Sequence, residues 1–126
     1  MSRPDVLEAV RTMLADAGIE DVTSRLGDGW AEAVTVRQAT SPAPRVHFDL
    51  SESVPLTVSV IVRREDEERA MDEAWLVHDL LRRGDLASPT GAYGLAGTTV
   101  TVPREFVWDD NGHTAWVVEA TLDISR

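Results

Sequence analysis

Between residues 54 and 63 the chain alternates in a way that few folds can accommodate. Val54, Leu56, Val58, Val60 and Val62 recur at every second position, separated by Pro55, Thr57, Ser59, Ile61 and Arg63. A period of two places the valines on one face of an extended segment, and the β-branched content suits a strand. The period then changes abruptly. From Glu65 to Arg83 the apolar residues are Ala70, Met71, Ala74, Trp75, Val77, Leu80 and Leu81, spaced as one stripe of a helix. Acids crowd its first turn, Arg82-Arg83 close its last, and Gly84 follows, an order that complements the helix dipole at both ends. Glu65–Arg69 and Asp79–Arg83 are expected as i,i+4 ion pairs. A strand that feeds directly into an amphipathic helix needs other strands beside it and a sheet beneath the helix.

The flanking sequence supplies both. Val6, Leu7, Val10, Met13, Leu14 and Ala17 form a second helical stripe, begun by Ser2, Pro4 and Asp5 and ended by Gly18. Ile19 to Gly29 reads as a loop. Trp30 to Ala39 predicts a strand, Ser41-Pro42-Ala43-Pro44 a break, and Val46, Phe48 and Leu50 a half-buried strand. Asp85 to Gly97, with three Gly and one Pro, reads as a flexible loop around the sole tyrosine, Tyr93.

Thr98 to Trp108 and His113 to Ser125 are expected as a long hairpin. A two-residue turn at Asn111-Gly112 would set Val100 opposite Asp123. A three-residue loop, Asp110-Asn111-Gly112, pairs Phe106 with Trp116, Val102 with Ala120 and Val100 with Leu122, keeping one face apolar, and puts Gly112 in a left-handed position. The second register is preferred. The resulting order, α-β-β-β-α-β-β, predicts an α+β fold: a two-layer antiparallel sheet of four to five strands covered by two helices, in a single domain spanning residues 1–126.

Composition narrows the function classes. All twelve cationic residues are Arg, 22 residues are acidic, and the net charge is −10. Residues 1–64 hold seven Arg and nine acids; residues 65–126 hold five Arg and thirteen acids, so most of the excess lies in the second half. Such a balance argues against bulk binding to nucleic acid or an anionic membrane. There is no cysteine, which removes disulfides, thiol nucleophiles and cysteine-bound zinc. No signal peptide or membrane-length apolar run is visible, so folding in a cytoplasm is expected.

The chemistry-bearing residues form no catalytic pattern. His47, His78 and His113 fall on a strand, a helix and a hairpin end without metal-ligand spacing. Asp109-Asp110-Asn111-Gly112 suits a turn better than a calcium loop, which needs alternating oxygen ligands and a distant Glu. Glu65 to Glu68 reads as an acidic helix start. Gly91, Gly94 and Gly97 lack the strand-loop-helix context of a phosphate cradle. No catalytic residue, cofactor or metal is therefore assigned. Of the four tryptophans, Trp75 and Trp116 are expected in the core. Trp30 and Trp108, at strand ends, suit either the core edge or an interface.

The β-rich run Leu56–Arg63 passing into the helix Asp66–Ala74, the Gly-rich loop, the closing strand Val118–Ile124, and the upstream helix with its Pro-flanked strand Ala43–Phe48 resemble the tail terminators, or tail completion proteins, of long-tailed bacteriophages. The resemblance covers nearly the whole chain in size and element order. It implies a structural virion protein without catalysis: a ring, six-fold in that family, that caps the tail tube, stops its polymerisation and joins it to the neck, at the tail–neck junction of the virion. The implied partners are further copies of the chain, the tail tube protein and a neck protein, with DNA passing through the lumen unbound. Six acidic copies, about −60 in all, would repel that DNA. Interface candidates are Trp30, Tyr93, Trp108, Asp110 and Asn111. The rival readings are another neck protein, a small-molecule binding domain with its pocket between helix 65–83 and the sheet, and an enzyme whose histidines converge in one cleft.

Overall fold

The structure, a computed structural model, describes residues 5–24, 31–39, 45–46, 52–83, 86, 94–108 and 112–125. Two helices, α1 (Val6–Asp16) and α2 (Glu67–Arg83), accompany seven strands: β1 (Val22–Thr23), β2 (Ala33–Gln38), β3 (Arg45–Val46), β4 (Glu52–Arg63), β5 (Gly94–Val100), β6 (Arg104–Val107) and β7 (Thr114–Ser125). The α+β class stands. The sheet runs β1-β2-β4-β7-β5, with β3 beside β4 and β6 beside β7. All its pairs are antiparallel except β1 with β2, so the sheet is mixed and has more strands than the expected four to five. The two additional strands are β1, a two-residue piece too short to register as a pattern, and the one gained because the expected strand Thr98–Trp108 is divided into β5 and β6.

The helices end as their sequences dictate. Gly18 adopts φ +90°, Ile19 N–H reaches the Leu14 carbonyl at 3.2 Å, and Gly18 N–H reaches that of Ala15 at 3.0 Å. These are the two bonds of a Schellman cap, and they satisfy carbonyls that α1 would leave orphaned. At the start of α2, Asp66 Oδ1 accepts from Glu68 N–H at 3.0 Å and from Arg69 N–H at 3.3 Å, the geometry of an N-cap.

β4 is central and paired along its length with β7, from Ser53 opposite Ser125 to Val62 opposite Trp116. From Leu56 to Val62 its even-numbered residues meet the helices. Val58, Val60 and Val62 are fully buried with Val34, Val36, Val118, Ala120, Leu122 and Ile124 of the sheet. Val6, Val10 and Leu14 of α1 and Ala70, Ala74, Val77 and Leu81 of α2 close over them. Each buried valine contributes about 1.5–3 kcal/mol relative to exposure. The odd-numbered residues face the other way and form a second, smaller cluster in which Ile61, Ala115 and Val117 are joined by Phe106 and Trp108.

The hairpin register differs from the expected one. Phe106 lies opposite Ala115 and Glu105 opposite Trp116, while Val100 lies opposite Ala120. Between these pairs one strand advances four residues (100 to 104) and its partner three (120 to 117), so a one-residue bulge sits at Thr101-Val102-Pro103. Proline has no N–H for the ladder and is tolerated in sheets mainly at edges and bulges. The bulge reverses side-chain parity. Val100 packs against the helix-side core, whereas Phe106 packs on the opposite face. Gly112 has φ +85°, the left-handed conformation expected of it. Gly94 and Gly97, expected in the loop around Tyr93, belong to β5 instead.

Candidate assembly surface

Arg63 ends β4 and Arg64 follows it directly, and the alternation of the strand sends them to opposite faces. Arg64 is turned toward the helices, with a fully buried side chain. Its Nε donates to Glu73 Oε1 at 2.9 Å, its Nη1 to Asp21 Oδ2 at 3.0 Å and its Nη2 to the Glu20 carbonyl at 2.8 Å. The guanidinium thereby ties β4, α2 and the segment after α1 together. Burial alone would lower its pKa; the hydrogen bonds and charges of Glu73 and Asp21 outweigh that and raise it. Asp21 adopts φ +59°, and its carbonyl accepts from Val34 N–H at 3.0 Å, so the same residue fixes the start of β2.

Arg63 points to the other face and is 2% exposed. Its guanidinium lies 4.6 Å from the centre of the Trp108 ring, and Nη2 donates to Thr35 Oγ1 at 3.3 Å. Nε and Nη1 are buried without hydrogen-bond partners. Desolvation lowers its pKa. Neither arginine was singled out in the sequence; the available signal was an Arg continuing the Thr57-Ser59-Ile61 parity of a buried strand.

Among the interface candidates, only Trp108 lies within the described residues. It is half-buried, its backbone N–H donates to the His113 carbonyl at 2.7 Å, and its ring packs beside Phe106 with ring centres 6.2 Å apart. Trp108 is therefore an internal cover for Arg63 at the edge of the second cluster. Trp30, Tyr93, Asp110 and Asn111 lie outside the described residues, as does His47. Of the two tryptophans expected in the core, Trp116 is partly buried against it, and Trp75 is 43% exposed. Trp75 stands at the flank of α2 and meets His78 edge-on at 5.2 Å. His78 is buried next to Asp79 and His113 lies at the hairpin, and no group of metal-ligating side chains converges among the described residues.

The surface of the molecule is uneven in charge. On α2, Met71 (39%), Trp75 (43%) and Leu76 (43%) are exposed. A groove of about 270 Å³ runs between the start of α2 and the hairpin, lined by Glu67, Glu68, Met71, Glu105 and Trp116. A second, of about 430 Å³, lies on the outer flank of α2 between Asp66 and Leu76. Both are open grooves outside the helix; beneath it, Ala70, Ala74, Val77 and Leu81 are packed into the core. The expected ion pairs of α2 are replaced by Arg69–Glu73 at 3.8 Å, since Glu65 precedes the helix. β5 is uncharged from Gly94 to Val100, and no strand pairs with its outer edge among the described residues.

Compared with known families, residues 13–126 match the model of the bacteriophage tail terminator protein. The chain belongs to the bacteriophage tail terminator family. A comparison with curated protein sequences gave no match. Among solved structures, the fold is similar to a chain in the virion of a native gene transfer agent particle, with a TM-score of 0.64 at 16% identity, covering 96% of this chain and 92% of the other. Family membership makes the chain a structural protein of a phage tail. Neither described helix is long and apolar enough to cross a membrane.

Proposed function

We propose that this tail terminator-family chain, as one domain over residues 1–126, forms a closed ring, six-fold in the family it resembles, that caps the tail tube and joins it to the neck. The family match over residues 13–126 carries this reading. It is supported by an uncharged sheet edge that no strand pairs with among the described residues and by exposed Met71, Trp75 and Leu76 on one helix. In this role the chain makes no covalent chemistry. Its partners are neighbouring copies, the tail tube protein and a neck protein, and its site is the tail–neck junction of the virion. The net charge of −10 per subunit keeps DNA from adhering to the lumen as it passes.

The test is the mass of the purified chain at high concentration, by light scattering, with electron microscopy of the particle. A six-subunit ring at the head-proximal end of the tail is the expected result. A chain that stays monomeric and is absent from that end would refute the proposal. A ring found elsewhere in the neck would make the chain a different joining protein.

A further inference from the structure

The surface cations of this acidic chain are few, and most are already engaged. Among the described residues Arg63 and Arg64 are buried, Arg11 meets Glu8, Arg69 meets Glu73 and Glu20, and Arg104 meets Glu119. Among the described residues, three exposed arginines make no side-chain ion pair or hydrogen bond: Arg37, and the adjacent Arg82 and Arg83 that end α2. At the opposite end of the same helix lies the groove floored by Met71 and Trp116 and walled by Glu67, Glu68 and Glu105. Met71 is 39% exposed there and Trp116 half-buried. Fifteen residues of helix separate Glu67 from Arg82, a rise of about 22 Å, so the two cannot meet within one chain.

Two copies of a chain carrying −10 repel each other unless the contact brings a cationic patch of one against an acidic patch of the other. Arg82 and Arg83 are the only adjacent pair of unengaged cations among the described residues. The Met71–Trp116 groove matches their chemistry. Its apolar floor takes the arginine stem, the indole takes the flat guanidinium, and three carboxylates accept its N–H groups. From this complementarity we infer that the Met71–Trp116 groove of one subunit receives Arg82 and Arg83 of a second copy of the same chain. Made once per interface, with the groove of one subunit on the arginines of the next, the contact is heterologous, and its repetition closes a ring when the rotation is right. This inference rests on the ring reading above and names the surfaces that would make it.

Two variants separate the halves of the contact. R82A/R83A removes the cations and leaves the groove; E67Q/E68Q/E105Q neutralises the groove and leaves the cations. All these side chains are exposed, so both variants should fold, as circular dichroism and the urea midpoint will show. In sedimentation at low salt the native chain should form a closed assembly of more than two subunits. Each variant alone should associate at least about tenfold more weakly, a difference easily resolved. Mixed one to one, the two variants should form a heterodimer, since a single intact groove meets a single intact arginine pair and the chain of contacts stops there. Salt near 1 M, which screens charges beyond about 3 Å, should dissolve that heterodimer.

If the native chain assembles and both variants assemble equally well, the ring reading survives and this contact is wrong. If the native chain and the mixture both remain monomeric, ring and contact fail together. A native assembly that stops at two subunits would refute the heterologous contact, because antiparallel helices would then place each groove on the other's arginines and the assembly would close at two.

Discussion

Arg63 and Arg64 are neighbours in sequence with equally buried side chains, yet their replacement should have opposite consequences. Arg64→Met removes three charge-assisted hydrogen bonds, to Glu73, Asp21 and the Glu20 carbonyl. Asp21 is 57% exposed and rehydrates at little cost, but Glu73 is 12% exposed and keeps only the longer 3.8 Å pair with Arg69. Breaking a buried pair in this way typically costs about 3–5 kcal/mol. Arg63→Met gives up one long bond to Thr35 and the stacking on Trp108, together about 1–3 kcal/mol. It also strands the Thr35 hydroxyl, which is fully buried, at about 1–3 kcal/mol. Against this, it removes two buried unpartnered N–H groups, each costing about 1–3 kcal/mol. The terms nearly cancel, so Arg63→Met should shift stability by no more than about 1 kcal/mol. Urea unfolding followed by circular dichroism measures both, with an unchanged m-value confirming that the denatured state is the same. Trp108 fluorescence reports locally on Arg63→Met. Equal destabilisation by the two substitutions would refute the reasoning, for it would mean that Arg63 has partners equivalent to those of Arg64.

Several further outcomes follow from single features. Gly18→Ala should cost about 1 kcal/mol in thermal unfolding, because the left-handed φ excludes a Cβ although the space around it is open. Asp66→Ala should cost about 1 kcal/mol by removing the N-cap of α2, with Asp66→Asn close to native. Leu122→Ala, at a fully buried position of β7 in the helix-side core, should cost about 2–5 kcal/mol in urea unfolding. The raised pKa of Arg64 makes its contribution fully present below the ordinary arginine value and lost only above it. The difference between native protein and Arg64→Met should therefore not change between pH 6 and pH 9 through titration of that arginine; denaturant midpoints across that range check this.

The parts of the fold visible in the sequence are those where one residue type repeats at one period. β4, β7 and both helices are of that kind, and so is the Gly18 stop of α1. The hairpin register was not legible, because a bulge of one residue exchanges the two faces of a strand and leaves the hydrophobic count unchanged. Pro103 was the visible mark of it. Trp75 was misplaced for a related reason. A stripe drawn through Met71, Ala74, Trp75 and Leu81 is wider than the surface the sheet offers, and the small residues Ala70 and Ala74 take the contact while Met71 and Trp75 are left at the flank. The arginine pair was hidden because the sequence records a charge but not whether it is paired. The candidate surface was legible only as far as its large aromatic residues, and Trp108, the one within the described residues, serves the interior.

The charge of the chain acquires a direction once the structure is laid out. Most of the acidic excess lies in the second half of the sequence, and α2 carries acids at its start and free arginines at its end. The interior absorbs two arginines that would otherwise soften the surface, Arg64 to hold three elements together and Arg63 against Trp108. What remains outside is a rod with opposite charges at its two ends, beside an uncharged strand edge, on a molecule that elsewhere repels its own kind. Such a subunit is discouraged from associating at random, because most orientations bring acid against acid. An end-to-end orientation escapes that penalty, and the same asymmetry that limits aggregation thereby selects the contact that a closed ring requires.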